Sequence, residues 1–429
     1  MKHEGKIAEK RKVLMAASVA SMIDQFNLPN LWLMQELGYE VHVACNFKEG
    51  NTCSARQVQR LLHVLRERQI RFHQWDCPRS PWPVKTCIRA YRQLRMILQT
   101  YPFAWMHCHS PVGGALARAA AHQAGIPVIY TAHGFHFYKG APLKNWLLYY
   151  PVEKALAYDT DVLITVNQED QRLADRRLRA GQIFRIPGVG IDTERFQYPG
   201  KADRREFCRL YQIPEDAVIL LSVGELNEGK NHRMVIAALA DLSDTRLYYM
   251  ICGQGDLREE LWRYADKMGV GTRIRMPGFL DNLTWVYQSA DIFVFPSVRE
   301  GMPAALIEAM AAGLPCVVSD IRGCRELICE EASDIRGCRE WSCEEADRTG
   351  LSAKRSPGGF LFSLRRPEQL TAALKILADH ETFRKECGTY NQHQARQYDQ
   401  SIVQEKMRTI YTEMGSKAEH EKCRKSQIP

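Results

Sequence analysis

The chain has 429 residues, 45% of them apolar, and a formal net charge of +8. That length exceeds one ordinary core and implies two or three domains. No stretch approaches the ~18 apolar residues of a membrane-spanning helix, the first twelve residues lack the apolar centre of a secretion signal, and the fourteen scattered cysteines fit reduced thiols rather than a disulfide scaffold.

Residues 12–18 and 41–46 read as buried strands, with a helical pattern at 28–37 closed by Gly38. Helical spacing recurs at 55–68, 84–100 and 112–123, and strand-like runs recur at 104–108, 128–131 and 162–166. Strand and helix alternating at this spacing predict a parallel sheet covered on both faces, which binds ligands beyond the C-terminal ends of its strands. Three segments fall there: a loop at 18–30, the His107-Cys108-His109-Ser110 segment, and Thr131-Ala132-His133-Gly134-Phe135-His136-Phe137-Tyr138. Alternate strand positions put His107 and His109 on one side. A metal would need a third ligand that the sequence does not offer, so satisfied strand-end histidines are the better reading. The apolar, aromatic run at 143–156 is either core or one wall of a ligand cleft.

Charge is uneven. Residues 1–198 carry a net +10 and the remainder −2. Between Arg56 and Arg95 ten basic residues face two acidic ones, interleaved with Trp75, Trp82 and Tyr91. This pattern suits an anionic membrane surface. A merely solvated basic face is the alternative; nucleic acid would also suit the charge, but no nucleic-acid motif accompanies it.

In the second half, 218–223 reads as a strand followed by Gly224-Glu225-Leu226-Asn227-Glu228-Gly229-Lys230-Asn231 and a helix. Another strand, 247–252, ends in Gly253-Gln254-Gly255, and 273–276 leads into Pro277-Gly278-Phe279-Leu280. The most informative stretch is 293–320, strand, loop, helix, strand. Gly301-Met302-Pro303 opens the helix, and Gly313 and Pro315 close it. Around Glu308 the neighbours three and four positions away are Ala304, Ala305, Ala311 and Ala312, so a ligand can lie against the backbone. The amides of Gly301, Met302, Ala304 and Ala305 at the helix start suit an anion such as a diphosphate. Residues 319–332 and 333–346 agree at twelve of fourteen positions, a tandem duplication too short and too few for a repeat fold. Helical patterns at 367–377 and 383–414 precede a polar end from Gly415, expected to be disordered.

Glu300 and Glu308, with E-G-M-P before and A-M-A-x-G-x-P-x-V-x-S-D after, resemble the E-x7-E signature of family-4-type retaining glycosyltransferases. The segment from His133 to Phe137 is similar to the H-G-F-H-[FY] element of a bacterial branch that builds exopolysaccharide and capsule. The resemblance covers residues 12–414 and implies the GT-B fold: α/β, two Rossmann-like domains facing across a cleft, with a C-terminal helix crossing back to the first. The implied domains are an acceptor-binding domain at 1–190, a nucleotide-sugar domain at 191–385, the crossover helix at 386–414 and the tail at 415–429.

The resemblance also implies roles. Glu308 takes the ribose hydroxyls, Glu300 orients the donor sugar, and His133 meets the sugar at the reacting centre. Lys230 grips the diphosphate with the amides at 301–305. Gly253, Phe279 and Leu280 line the nucleotide, and His109 and His136 lie on the acceptor side. The implied reaction moves a hexose or N-acetylhexosamine from a nucleotide sugar, in the first place a UDP-sugar, to a lipid-linked saccharide at the inner face of the cell membrane. It needs no metal and no cofactor beyond the nucleotide sugar. The alternatives are a UDP-N-acetylhexosamine epimerase or hydrolase, and a non-catalytic sugar-nucleotide-binding subunit. Three features depart from the family pattern. No glycine pair occurs in 18–30, Gly188 replaces an Asn in the segment 186–192, and Glu225 stands where the family has an Arg beside the diphosphate.

Overall fold

A computed structural model describes residues 10–50, 53–82, 84–197, 203–329 and 353–426. The second copy of the duplication lies outside them. The chain forms two units, one of residues 1–186 with 403–429, the other of residues 187–402.

The first unit holds a seven-stranded sheet: β1 (Lys12–Val19), β2 (Glu40–Asn46), β3 (Arg71–Gln74), β4 (Phe103–His109), β5 (Val128–Ala132), β6 (Val162–Thr165) and β7 (Gln182–Arg185). Every pairing is parallel, in the order β3-β2-β1-β4-β5-β6-β7. The central strands are buried almost throughout because helices cover both faces, so they read as continuous apolar runs. Strand order reverses between β1 and β4, which opens a ligand position at their C-terminal ends.

The second unit repeats the plan with β8 (Val218–Val223), β9 (Leu247–Cys252), β10 (Ile274–Gly278), β11 (Ile292–Phe295), β12 (Cys316–Ser319), β13 (Lys354–Ser356) and β14 (Gly359–Phe362). Their order is β10-β9-β8-β11-β12-β14-β13, all parallel except β13 against β14. The reversal here lies between β8 and β11. Both units are therefore Rossmann-like.

Three expectations need correction. The segment 18–30 is not a loop: Ala20–Phe26 and Leu28–Glu36 are helices. Asn27 is the hinge, its side-chain amide donating to the Met22 carbonyl and its own carbonyl oxygen accepting from Asn30. It is a structural residue, and the missing glycines are consistent with a chain that turns directly into a helix.

Nor does one helix run over 386–414. Glu381–Ala395 ends in a short 3-10 turn, Arg396–Tyr398, and belongs to the second unit. Asp399, extended at φ −62° and ψ 146°, accepts from the Ser401 amide at 2.9 Å and so caps a new helix, Gln400–Ser426.

That last helix also overturns the disordered tail. Gly415, where the polar end was expected to begin, lies inside the helix, and a side chain there would strike Tyr39 Oη, 2.1 Å from the Cβ position. The Gly415 carbonyl accepts from Arg11 at 3.0 Å, and Met414 is buried. Glycine here permits close packing rather than ending the helix.

Candidate functional site

In the second unit four loops at the C-terminal strand ends are stitched together by backbone hydrogen bonds. The Gly253 amide donates to Gly278 at 2.9 Å, Leu226 to Gln254 at 3.0 Å, Leu257 to Leu226 at 3.1 Å, and Val298 to Gly229 at 2.9 Å. Gly253 must be glycine, since its Cβ would fall 1.8 Å from the Gly224 carbonyl oxygen. This brings together the turns holding Gly253, Phe279, Leu280, Lys230 and Glu300. Phe279 is exposed, whereas Leu280 packs on the core of the unit.

Lys230 and Glu300 come from the loops after β8 and β11, on either side of the strand-order reversal. They form an ion pair of 2.7 Å, with each side chain about a fifth exposed. The Lys230 ammonium also lies 4.8 Å from the centre of the Phe295 ring. Asn227 holds the Lys230 backbone by accepting from its amide at 3.0 Å. Glu225, in the Arg position of the family, is half-buried and brings no cation.

The helix that was expected to open at Gly301 spans Ala304–Ala311, with Pro303 as its extended cap residue at ψ 109°. The Leu306 and Ile307 amides both turn back to the Pro303 carbonyl. Those of Ala304 and Ala305, at the start of the first turn, have no acceptor inside the helix. Glu308 sits one turn on, with Ala304, Ala305 and Ala312 half-buried around it and Ala311 buried. Its carboxylate accepts from Tyr287 Oη at 2.8 Å, and the same hydroxyl lies 3.1 Å from the Ala305 carbonyl. Burial raises the Glu308 pKa to about 7, opposed by the Tyr287 hydrogen bond and the positive charge of Arg195. Sequence reasoning missed Tyr287 and Arg195; they reach Glu308 from helices distant along the chain, and nothing in their local pattern marks them.

In the first unit, the strand ends of β4 and β5 put His109 beside His133, Nδ1 to Nε2 at 3.1 Å. His109 is buried and His133 half-buried. The ring of His107 lies 4.2 Å from that of His109, on the same side of the strand. His107 is tied at both nitrogens, to Tyr411 Oη at 2.9 Å and Thr131 Oγ1 at 2.8 Å. Burial lowers all three imidazole pKa values, His107 to about 3 and His133 to about 4, so they are neutral near pH 7. Among the described residues no group of three or more His, Cys, Asp or Glu is placed to hold a metal ion.

The loop after His133 is anchored from below. Phe135 and Phe137 are buried and stacked, and the Phe135 amide donates to the buried Asp170 at 3.1 Å. Asp170 is another residue that the sequence did not single out. His136 stacks on Tyr149 at 4.3 Å.

Two family descriptions match the chain: "Glycosyl transferase 4-like domain" over residues 33–188 and "Glycosyl transferases group 1" over residues 203–394. A curated relative, "Putative glycosyltransferase EpsD" of Bacillus subtilis (strain 168), is 39% identical over 324 residues, 74% of this chain and 81% of the relative. The chain belongs to this glycosyltransferase family. A second relative of this glycosyltransferase, "UDP-Gal:alpha-D-GlcNAc-diphosphoundecaprenol alpha-1,3-galactosyltransferase" of Escherichia coli, is 31% identical over 56% of the chain and 62% of its own length. Among solved structures, Anabaena HepE in complex with UDP-glucose superposes with a TM-score of 0.70 at 14% identity, over 94% of this chain and 99% of that one. WaaG, described as involved in lipopolysaccharide biosynthesis, gives 0.65 at 16% identity over 93% and 99%. These likenesses establish the fold as GT-B.

Proposed function

We propose that this glycosyltransferase takes a UDP-sugar on its second unit and transfers a hexose or N-acetylhexosamine, with retention, to a lipid-linked saccharide in exopolysaccharide or capsule assembly. The observation that carries the reading is the Lys230–Glu300 pair at the strand-order reversal, with Glu300 eight positions ahead of a carboxylate lined by alanines. A diphosphate arriving at the Ala304–Ala311 helix start meets amides that have no acceptor inside the helix, and the positive end of the helix dipole. It also offers Lys230 a second anion. Lys230 then neutralises leaving-group charge while Glu300, released or shared, turns to the sugar. Transfer of this kind depends on positioning and on preorganised charge. Glu308 takes the ribose hydroxyls, and Phe279 and Leu280 flank the base. On the first unit His133 faces the sugar at the reacting centre. His109 acts through it, and His136 belongs to the acceptor side. No metal is required where Lys230 and the amides carry the charge. The relative described as acting on a diphosphoundecaprenol-linked sugar supports the choice of acceptor.

A membrane-bound acceptor calls for a membrane-facing surface. No helix among the described residues is long and apolar enough to cross a membrane. The helices Val84–Thr100 and Leu143–Ala157, both packed on the Pro111–Ala124 helix, instead expose Val84, Ile88, Met96, Leu143 and Leu147 among Lys85, Arg89, Arg92, Lys144 and Lys154. Apolar side chains set among cations suit the surface of an anionic bilayer. This reading places the protein in the cytoplasm, peripheral at the inner face of the membrane.

Calorimetric titration with UDP tests the donor site. Glu308→Ala loses charge-assisted hydrogen bonds to the ribose and weakens binding about 10- to 100-fold. Glu300→Ala keeps most of the affinity and loses turnover. Wild-type affinity in the Glu308 variant would remove the central argument.

A further inference from the structure

The two nitrogens of His109 have different surroundings. Nδ1 meets Nε2 of His133 at 3.1 Å, while Nε2 is buried with no hydrogen-bond partner among the described residues. Two neutral imidazoles share one proton between the facing nitrogens, so the tautomers of the pair are linked. If His133 donated, His109 would accept at Nδ1 and carry its own proton on Nε2. A buried N–H would then point at no acceptor. If His109 donates from Nδ1, only a lone pair is left unmatched at Nε2. Orphaned buried N–H groups are the rarer of the two in folded proteins. The second arrangement therefore prevails, and it leaves His133 with a bare Nε2 and a proton on Nδ1. His133 Nδ1 has no partner among the described residues of its own unit, and the residue is half-buried at the strand end.

We propose that His109 is a positioning residue that donates from Nδ1 to His133 Nε2 and locks His133 in the Nδ1–H tautomer, so that His133 meets the sugar as a hydrogen-bond donor. The inference rests on the placing of His133 at the sugar, but the tautomer itself does not. The lock is rigid because His109 is wedged against the ring of His107, which is itself fixed between Tyr411 and Thr131. Burial disfavours the imidazolium form of each ring, so His133 is neutral near pH 7. Its Nδ1–H is then a donor available to a sugar oxygen, and it holds the sugar without proton transfer.

Nitrogen-15 NMR of histidine-labelled full-length protein reads the tautomer directly, with the His133 signals assigned by their loss in His133→Gln. The expected result is a protonated Nδ1 and a bare Nε2 on His133 throughout pH 6–8. In His109→Leu the His133 proton moves at least partly to Nε2, and kcat falls about tenfold, the equivalent of one hydrogen bond. His109→Asn places an amide N–H near the position of Nδ1; it restores the Nδ1–H signature and most of the lost rate. A wild-type His133 protonated on Nε2 overturns the proposal whatever the activity. Wild-type kcat in a folded His109→Leu overturns the positioning role. Full activity in His133→Gln would instead refute the place given to His133 in the reaction, while the tautomer result stood on its own.

Discussion

Glu308 is a carboxylate whose charge depends on what surrounds it. With a pKa near 7, raised by burial, it is only partly ionised at neutral pH in the free protein. Ribose hydroxyls donate best to the ionised form, so a bound nucleotide draws the pKa down and releases a proton. Affinity for a UDP-sugar should therefore rise by about tenfold from pH 6 to pH 8. A UDP-sugar is the right probe, because the terminal phosphate of UDP itself titrates near pH 6. Calorimetry in buffers of different ionisation enthalpy counts the released proton, and Glu308→Gln should flatten the profile. A flat wild-type profile would mean that Glu308 does not face the ribose. Tyr287 tunes this response. Removing its hydroxyl in Tyr287→Phe takes away a hydrogen bond to the charged form, so the midpoint of the affinity profile should move to higher pH.

At the scale of elements, the duplicated segment poses the sharpest question, namely which copy the fold uses. The first copy supplies the helix Arg322–Ile328, with Cys324, Leu327 and Ile328 buried. Gly323 lies against the loop that bears Glu300 and Gly301, its Cβ position only 2.5 Å from the Gly301 carbonyl oxygen. Gly323→Ala must push the loop bearing Glu300 and Gly301, and we expect a loss of about 1–3 kcal/mol in stability with lower turnover. Gly337→Ala, the same change in the second copy, should leave both unchanged, and deletion of residues 333–346 should leave UDP affinity intact. Thermal denaturation and transfer assays of the three variants decide; if Gly337→Ala is the damaging one, the copies exchange roles. The basic, apolar face of the Val84–Thr100 and Leu143–Ala157 helices belongs to this scale too. The full chain should sediment with anionic vesicles and release at high salt, and Leu147→Glu with Ile88→Glu should weaken that binding without affecting UDP affinity. Equal binding to neutral vesicles would contradict the assignment.

Across the whole molecule, what was legible in the sequence followed one physical rule. Strands buried on both faces are continuous apolar runs, so the central strands of both sheets showed plainly, while edge strands such as β3, with Arg71 exposed and the rest half-buried, did not. Residues set by local geometry were legible as well: Gly253, Glu300 and Glu308 belong to turns and a helix that the chain writes contiguously. Tyr287, Arg195 and Asp170 were not, because each acts on a residue far away in sequence, and the Gly415 contact with Tyr39 reversed the usual meaning of a glycine. The same long-range packing makes the two units respond unequally to acid. His42, His73, His107, His109 and His133, all in the first unit, have pKa values pushed down by burial. Between those values and the ordinary 6.5 the unfolded chain binds protons that the folded chain refuses, so stability is lost as pH falls through that window. A fully buried ring such as His107 contributes up to about 1.4 kcal/mol for each pH unit. The second unit has one such histidine, His232, lowered to about 4, and it holds Glu308, whose raised pKa works the other way: its contribution is complete below about pH 4.5 and is lost as pH rises through 7. Acidification from pH 7.5 to 5 should thus destabilise the first unit selectively. In urea at pH 5, limited proteolysis of the full chain should first cut within residues 12–186 and leave a resistant fragment from residues 203–402, whereas at pH 7.5 the order of cleavage should be less distinct. Cleavage of the second unit first at pH 5 would show that the buried histidines of the first unit are not what governs its response to acid.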